Sequence, residues 1–501
     1  MKKILAILVA VMILAASVSA LAEATNYTIK LPSSLTGATY DIYQILTGKY
    51  NKDKNNKETL SDVHWGSSTG KSGELTEAQL KTITGLADGK PETARKLFDT
   101  YCTGSAFKTA EIAGAEVSVP EGYYLIKETL PTGTAAEGQE QSLYVVEVVG
   151  NVTITRKASE TTSDKTTDDV NDSTGTTEAN RTSSDYDIGD DVPYHVSAKI
   201  SEKVGQYPKY HLTFVDTLES GCFDSISALD IKMDGAALAD TDDYTVKITG
   251  ANAATKDGFN VTITFTPKTD KDLSSLHQKE ITIDFTAKLG EGAQIGAGGN
   301  SNTLKVKYSN NPNSSDDKDE GETPEHKVVT FTYKVVVDKT DDQDKPLPGA
   351  GFTLYKIHAS HNAAKTGDAA AQNAAWASDN ISVVGTYNKG TTFTFAGIDD
   401  GTYVLCETTT PAGYNTIKPI VFTVNATHTD EAITELSGTG DIKFTANTQD
   451  GSLKTSVVNK GGATLPETGG IGTTIFYVAG SILVLAAVVL LVTKRRMNAG
   501  E

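Results

Sequence analysis

The sequence predicts an all-β protein built of sandwich domains in tandem, and three observations lead there. Segments such as YHLTFVDTL, NVTITFTP, EITIDFTAKL, TLKVKYS, VVTFTYKVVVDKT and TTFTFAGI alternate apolar with polar residues and are rich in Thr, Val, Tyr and Ile. Gly, Asn and Asp turns bound them, as in antiparallel sheets packed face to face. At 501 residues the chain is too long for one core, and size alone suggests about three domains.

From the N-terminus, Lys2 and Lys3 precede an apolar stretch from Ile4 to Ala16, and Ala20-Leu21-Ala22 has the small-x-small spacing of a signal-peptidase site. Residues 1–22 therefore read as a signal peptide. A first unit, 23–157, carries LTGATYDIYQIL, two inserted helices in LTEAQLKTITGLA and PETARKLFDTYC, and then PEGYYLIKETLPTG. Two polar stretches, 159–191 and 311–325, read as linkers or long loops and delimit a middle unit, 158–322, and a third, 323–463. The third unit holds PLPGAGFTLYKI, a helix in AAKTGDAAAQNAAWA, and DDGTYVLCETTTPAGY. First and third units thus share an order: a Gly-Ala turn feeding a strand, then a Gly-Tyr strand ending in Glu-Thr and a Pro-Gly turn.

The last element, 464–501, begins with Leu465, Pro466, Glu467, Thr468 and Gly469, continues as an uncharged run over 471–492, and ends in Lys494, Arg495 and Arg496. The run matches the roughly 20 residues that a helix needs to span a bilayer. The basic residues place the tail in the cytoplasm and everything upstream outside. Pro466 holds its neighbours extended, and Gly469 and Gly470 strip bulk from around the Thr468–Gly469 peptide bond, which an enzyme can grip.

Composition narrows the function. A net charge of -19 disfavours nucleic acid as a partner. Three widely separated cysteines, Cys102, Cys222 and Cys406, give no disulfide framework to an exported chain, so any stiffness has another source. Signals of enzymes and metals fail on inspection. GSSTGKS is one residue short of a phosphate loop and follows no apolar strand. GAQIGAGGN opens no helix, His358 and His361 have no further ligands nearby, and SDDKDEGE lacks the spacing of a calcium loop. Neither cofactor nor metal is expected, and the chain does not read as an enzyme.

The LPETG element, apolar span and basic tail resemble the sorting signal of Gram-positive surface proteins cleaved by sortase transpeptidases. The repeated units resemble the B-type sandwich of collagen-binding surface proteins, and the middle unit, with YDIGDDVPYHVSAKI, YHLTFVDTL and LKVKYSNNPN, is similar to the middle domain of backbone pilins. The resemblance implies tandem immunoglobulin-like β-sandwiches on a wall-anchored pilus at the cell surface, with only a transient membrane anchor. It implies that a sortase cysteine attacks the Thr468 carbonyl and passes the threonyl group to an amine of the next subunit. The implied partners are pilin-specific and housekeeping sortases, other copies of the chain, tip and base pilins, and peptidoglycan. The alternative is a monomeric wall-anchored adhesin for host matrix or glycan, which needs no acceptor amine.

Such pilins are stiffened by intramolecular Lys–Asn isopeptide bonds, and the residue types have a physical rationale. Burial lowers a lysine pKa toward the neutral nucleophile, and raises that of a neighbouring carboxyl group, which then shuttles protons while polarising the Asn amide. In the third unit the resemblance assigns Lys339, Asn459 and, as shuttle, Glu407. Alternation puts Glu407 on the face of Tyr403 and Leu405. In the middle unit it assigns Lys165, Asp216 and Asn310, with Asn311 as alternative. In the first unit Glu128 matches Glu407 and Lys30 is the candidate for Lys339, but Arg156 stands where Asn459 would, so the pattern is incomplete. For the acceptor amine, position nominates Lys157, whereas the spelling Tyr207-Pro208-Lys209 nominates Lys209; position is preferred.

Overall fold

The computed structural model describes residues 25–52, 54, 58–86, 91–156, 160–312, 319–359, 365–379, 381–462 and 471–497. The signal-peptide residues 1–22 lie outside that set.

In the first unit the long strand Thr39–Lys52 pairs with Glu58–Trp65, Lys108–Ile112 and Gly122–Thr129, and the last of these pairs with Leu143–Val148. Strand Asn26–Lys30, flanked by Glu116–Pro120 and Val152–Thr153, forms a second sheet. Ile29, Tyr40, Ile42, Val119, Tyr124 and Ile126 fill the core. The opposite face of the larger sheet would expose Ile45 and Leu125, and the two expected helices, Glu77–Leu86 and Pro91–Tyr101, cover it with Leu80, Ile83 and Leu97. Pro91 heads the second helix, where a missing N–H removes no hydrogen bond.

The middle unit packs two seven-stranded sheets over one core. Here the expected linker at 159–191 is corrected: it folds as strands Ser163–Asn171, Thr176–Arg181 and Ser183–Asp185. The first of these pairs with Asp191–Lys199 and buries fully only Lys165 and Thr167. Its inward positions are polar, so it carries no hydrophobic signal. The second expected linker also contains a strand, Glu320–Glu322, paired with Lys307–Ser309, while residues 313–318 lie outside the described set.

Strand His326–Phe331 pairs with Asn300–Ser309 and Ser183–Asp185, so the middle sheet runs past residue 322 to Phe331. Only Thr332 separates it from Tyr333–Thr340, the first strand of the third unit. That strand lies between Thr392–Ile398 and Ser452–Val458, antiparallel to the former and parallel to the latter. A five-stranded sheet including Ala350–Ile357 and Gly401–Thr409 faces it. Asp368 caps helix Ala369–Ser378 by accepting from Ala371 N at 2.9 Å. The helix sets Trp376 over Val404 and Cys406, so both faces of Gly401–Thr409 are buried.

The helix Ile471–Met497 is apolar and long enough to cross a membrane. The pentapeptide Leu465, Pro466, Glu467, Thr468 and Gly469 lies outside the described residues.

Candidate functional site

In each unit a long basic side chain is buried near a carboxylate inside the sandwich, and the three sites differ in what they can do. In the third unit parallel pairing sets Lys339 opposite Val457, two residues before Asn459. Lys339 and Asn459 are both 0 % exposed. The Lys339 ammonium donates to the carbonyls of Thr340 at 2.8 Å and Val457 at 3.1 Å. Asn459 Nδ2 donates to Glu407 Oε1 at 2.8 Å and to Asn415 O at 2.9 Å. Ile417 N and Thr410 Oγ1 donate to the other Glu407 oxygen at 2.9 and 3.2 Å. Burial draws the Lys339 amine down to about 8 and raises the Glu407 carboxyl group. An amine close to neutrality, an amide and a carboxyl group on the amide nitrogen meet in one buried place, which is the equipment for amide exchange.

In the middle unit Lys165 and Asp216 form an ion pair with both side chains 0 % exposed. The Tyr194 and Phe285 rings stand 5.3 and 5.5 Å from the Lys165 ammonium. Burial lowers the lysine and raises the aspartate, the directions that favour proton transfer between them. The expected amide partner is corrected. Asp216 pairs with Leu304 in strand Asn300–Ser309, and Asn310 lies six residues further along, about 20 Å at strand rise. Its backbone carbonyl instead accepts from Gln141 N at 2.9 Å. The alternative, Asn311, donates to Asp319 at 2.9 Å and shares the same distant end. Asn302 faces the core two residues from Leu304, is 0 % exposed and neighbours Asp216. The sequence signal was available: Asn302, Leu304 and Val306 alternate inward.

Among its described residues the first unit holds no such lysine. Lys30 is half exposed beside Glu116 at 3.8 Å. Arg156 takes the place instead. Its Nε donates to Glu128 Oε1 at 2.8 Å, and its two terminal nitrogens donate to Gln139 Oε1 and Glu140 O, each at 2.9 Å. Tyr40 adds a hydrogen bond to Glu128 at 2.9 Å. A guanidinium stays charged and is no nucleophile, so this clamp is ionic. Arg156→Met leaves the Glu128 charge buried and unpaired, at a cost of about 3–5 kcal/mol. The first unit of this variant should melt more than about 10 °C below wild type by calorimetry; an unchanged transition would show that the pair does not hold the unit.

Of the candidate acceptors, Lys157 lies outside the described residues, immediately after the buried Arg156. Lys209 sits half buried in the turn before strand Tyr210–Leu218, with polar contacts of its own.

Comparison with known families follows this division. Residues 188–312 match the Gram-positive pilin backbone subunit 2, Cna-B-like domain, residues 333–439 the SpaA prealbumin-like fold domain, and residues 457–498 the LPXTG cell wall anchor motif. The chain belongs to the Gram-positive backbone pilins. This pilin is a structural subunit and sortase substrate, anchored to the cell wall on a surface pilus. Among solved structures it is similar to the T6 backbone pilin of serotype M6 Streptococcus pyogenes, with 14 % identity over 89 % of this chain and 100 % of that one, at a TM-score of 0.55. The major pilin SpaD of Corynebacterium diphtheriae matches with 18 % identity over 88 % and 98 % of the two chains, at 0.46. Identities this low speak to the fold alone. No curated protein matches.

Proposed function

We propose that this pilin is the shaft subunit, joined head to tail through an amide between the Thr468 carbonyl carbon and Lys157 Nζ of the next copy, with Lys209 as the alternative acceptor. A pilin-specific sortase forms the bond and a housekeeping sortase transfers the finished fibre to peptidoglycan, with tip and base pilins at its ends. Within each subunit two further amides form, Lys339 to Asn459 and Lys165 to Asn302. In each, the neutral Nζ attacks Asn Cγ, the Cγ–Nδ2 bond breaks, and the carboxyl group of Glu407 or Asp216 carries the amine proton to the departing ammonia.

The observation that carries this reading is the buried Lys339, Glu407 and Asn459 between the first and last strands of one unit. A cross-link there joins the strands by which the chain enters and leaves the unit, where a fibre under load is pulled. Intact mass tests it: the chain should weigh less than its sequence mass by about 17 Da per bond, the ammonia lost. Peptides should map the links to Lys339–Asn459 and Lys165–Asn302. Full sequence mass would remove both bonds from the proposal.

The rate of bond formation should follow the neutral fraction of Lys339. With that amine at about 8, roughly a tenth is neutral at pH 7 and most of it at pH 9. Uncross-linked chain refolded across this range should lose mass at the third unit nearly tenfold faster at the upper end. A flat profile would mean that deprotonation of the lysine does not limit the reaction.

A further inference from the structure

The contact between the middle and third units is crowded with carboxylates. Asp169, Asp172, Asp185, Asp187 and Asp190 come from one side, Asp399 and Asp400 from the other. Two basic side chains face them. The Lys356 ammonium, fully buried, lies 3.1, 2.8 and 2.7 Å from Asp172, Asp187 and Asp399 and pairs with that half of the contact. The other half centres on His428, at the end of strand Ile420–His428 with its side chain 5 % exposed.

Ser183 anchors one ring nitrogen of His428 and leaves the other facing the aspartates. Ser183 Oγ donates to His428 O at 3.4 Å and lies 2.8 Å from Nδ1. With the serine hydrogen on that carbonyl, Nδ1–H is the tautomer that donates to Ser183. The neutral ring then presents the Nε2 lone pair to Asp169 Oδ2 at 3.4 Å and Asp185 Oδ2 at 3.6 Å. One atom from each of His428, Asp169 and Asp185 thus lies within 4.8 Å of the other two, close enough to share one cation. A proton on Nε2 would meet oxygens beyond the usual N–H···O range of about 2.7–3.2 Å.

A zinc ion fits better. Bonds of about 2.0–2.2 Å set neighbouring ligand atoms of a tetrahedron roughly 3.3–3.6 Å apart, and both measured separations fall there. The outer shell is also built: Tyr333 OH donates to Asp185 Oδ2 at 2.8 Å, and Asp185 N donates to Asp169 Oδ1 at 3.3 Å. Asp399 adds a fully buried Oδ2 without a hydrogen-bond partner among the described residues, and its carboxylate lies within 4.8 Å of Asp185.

We propose that His428 Nε2, Asp169 and Asp185 hold a divalent ion of the zinc class, with water in the fourth position. The ion joins strands Ser163–Asn171 and Ser183–Asp185 of the middle unit to the last residue of Ile420–His428 in the third. It is a second, reversible fastening at a junction whose only covalent connection in sequence is Thr332.

The test uses the full chain in detergent, stripped with EDTA and dialysed at pH 7.5. Titration with zinc chloride should give one equivalent of uptake and a higher melting temperature. His428→Gln and Asp169→Asn should each weaken uptake by at least about tenfold; the second variant keeps the histidine and guards against a folding defect in the first. No uptake by wild type would overturn the proposal and leave His428 as an imidazolium paired with the two aspartates. Uptake unchanged in both variants would overturn it by tracing the zinc to other histidines.

Discussion

Lys157→Arg should collapse a boiled wall extract from a high-mass ladder to a single species. Resolution of the thioester between Thr468 and a sortase cysteine requires a neutral primary amine. Arginine keeps the charge and much of the length of lysine but does not lose its proton, so it can dock without reacting. The effect is all or none, because each subunit offers one acceptor and a chain with no acceptor ends at length one. Lys209→Arg should leave the ladder intact. The reverse pattern would move the acceptor to Lys209 and keep the polymer. A ladder absent from wild type, with Thr468 attached only to peptidoglycan, would leave the adhesin.

Glu407→Gln should restore about 17 Da to the mass of the third unit and leave it without its cross-link. Glutamine keeps an oxygen that can accept from Asn459 Nδ2, at 2.8 Å in wild type, but it cannot take up and return a proton. Positioned acid–base groups are worth roughly 10²–10⁴ in rate, so bond formation should fall from complete to undetectable over the life of a preparation. Lys339 and Asn459 enclose a loop of about 120 residues, and a cross-link closing such a loop restrains the unfolded chain by about 5 kcal/mol. The third unit of the variant should therefore melt well below wild type and become open to protease. A cross-link forming in Glu407→Gln at the wild-type rate would remove Glu407 from the chemistry.

The strands that carry the cores were legible because their inward residues are apolar and alternate, as in Tyr333–Thr340, where Tyr333, Val335, Val337 and Lys339 are the buried positions. Lys339 could be read there because it continues an apolar face. Lys165 sits in a strand whose inward neighbours are polar, SDKTTDDVN, so the same logic took it for a linker. Asn310 was named, with Asn311 as alternative, and Asn302 passed over for a different reason. All are asparagines on one strand or its end, and only the pairing of Asp216 with Leu304 says which one the carboxylate meets. Arg156 was visible as an exception, yet its bond to Glu128 depends on a fold that returns residue 156 to residue 128. His428 and Asp169 lie 259 positions apart and meet only because two units dock.

In the third unit the first strand, Tyr333–Thr340, and the last, Ser452–Val458, run side by side in the same direction. With Lys339 joined to Asn459, a pull arriving at Tyr333 leaves through Asn459 after crossing two side chains, and residues 341–458 carry none of it. Those residues make the helix, the outer sheet and most of the loops of the unit. The strength of the shaft is thereby divorced from its exterior. Given that bond, loops there can lengthen, change sequence or accept a foreign peptide while the fibre keeps its tensile path.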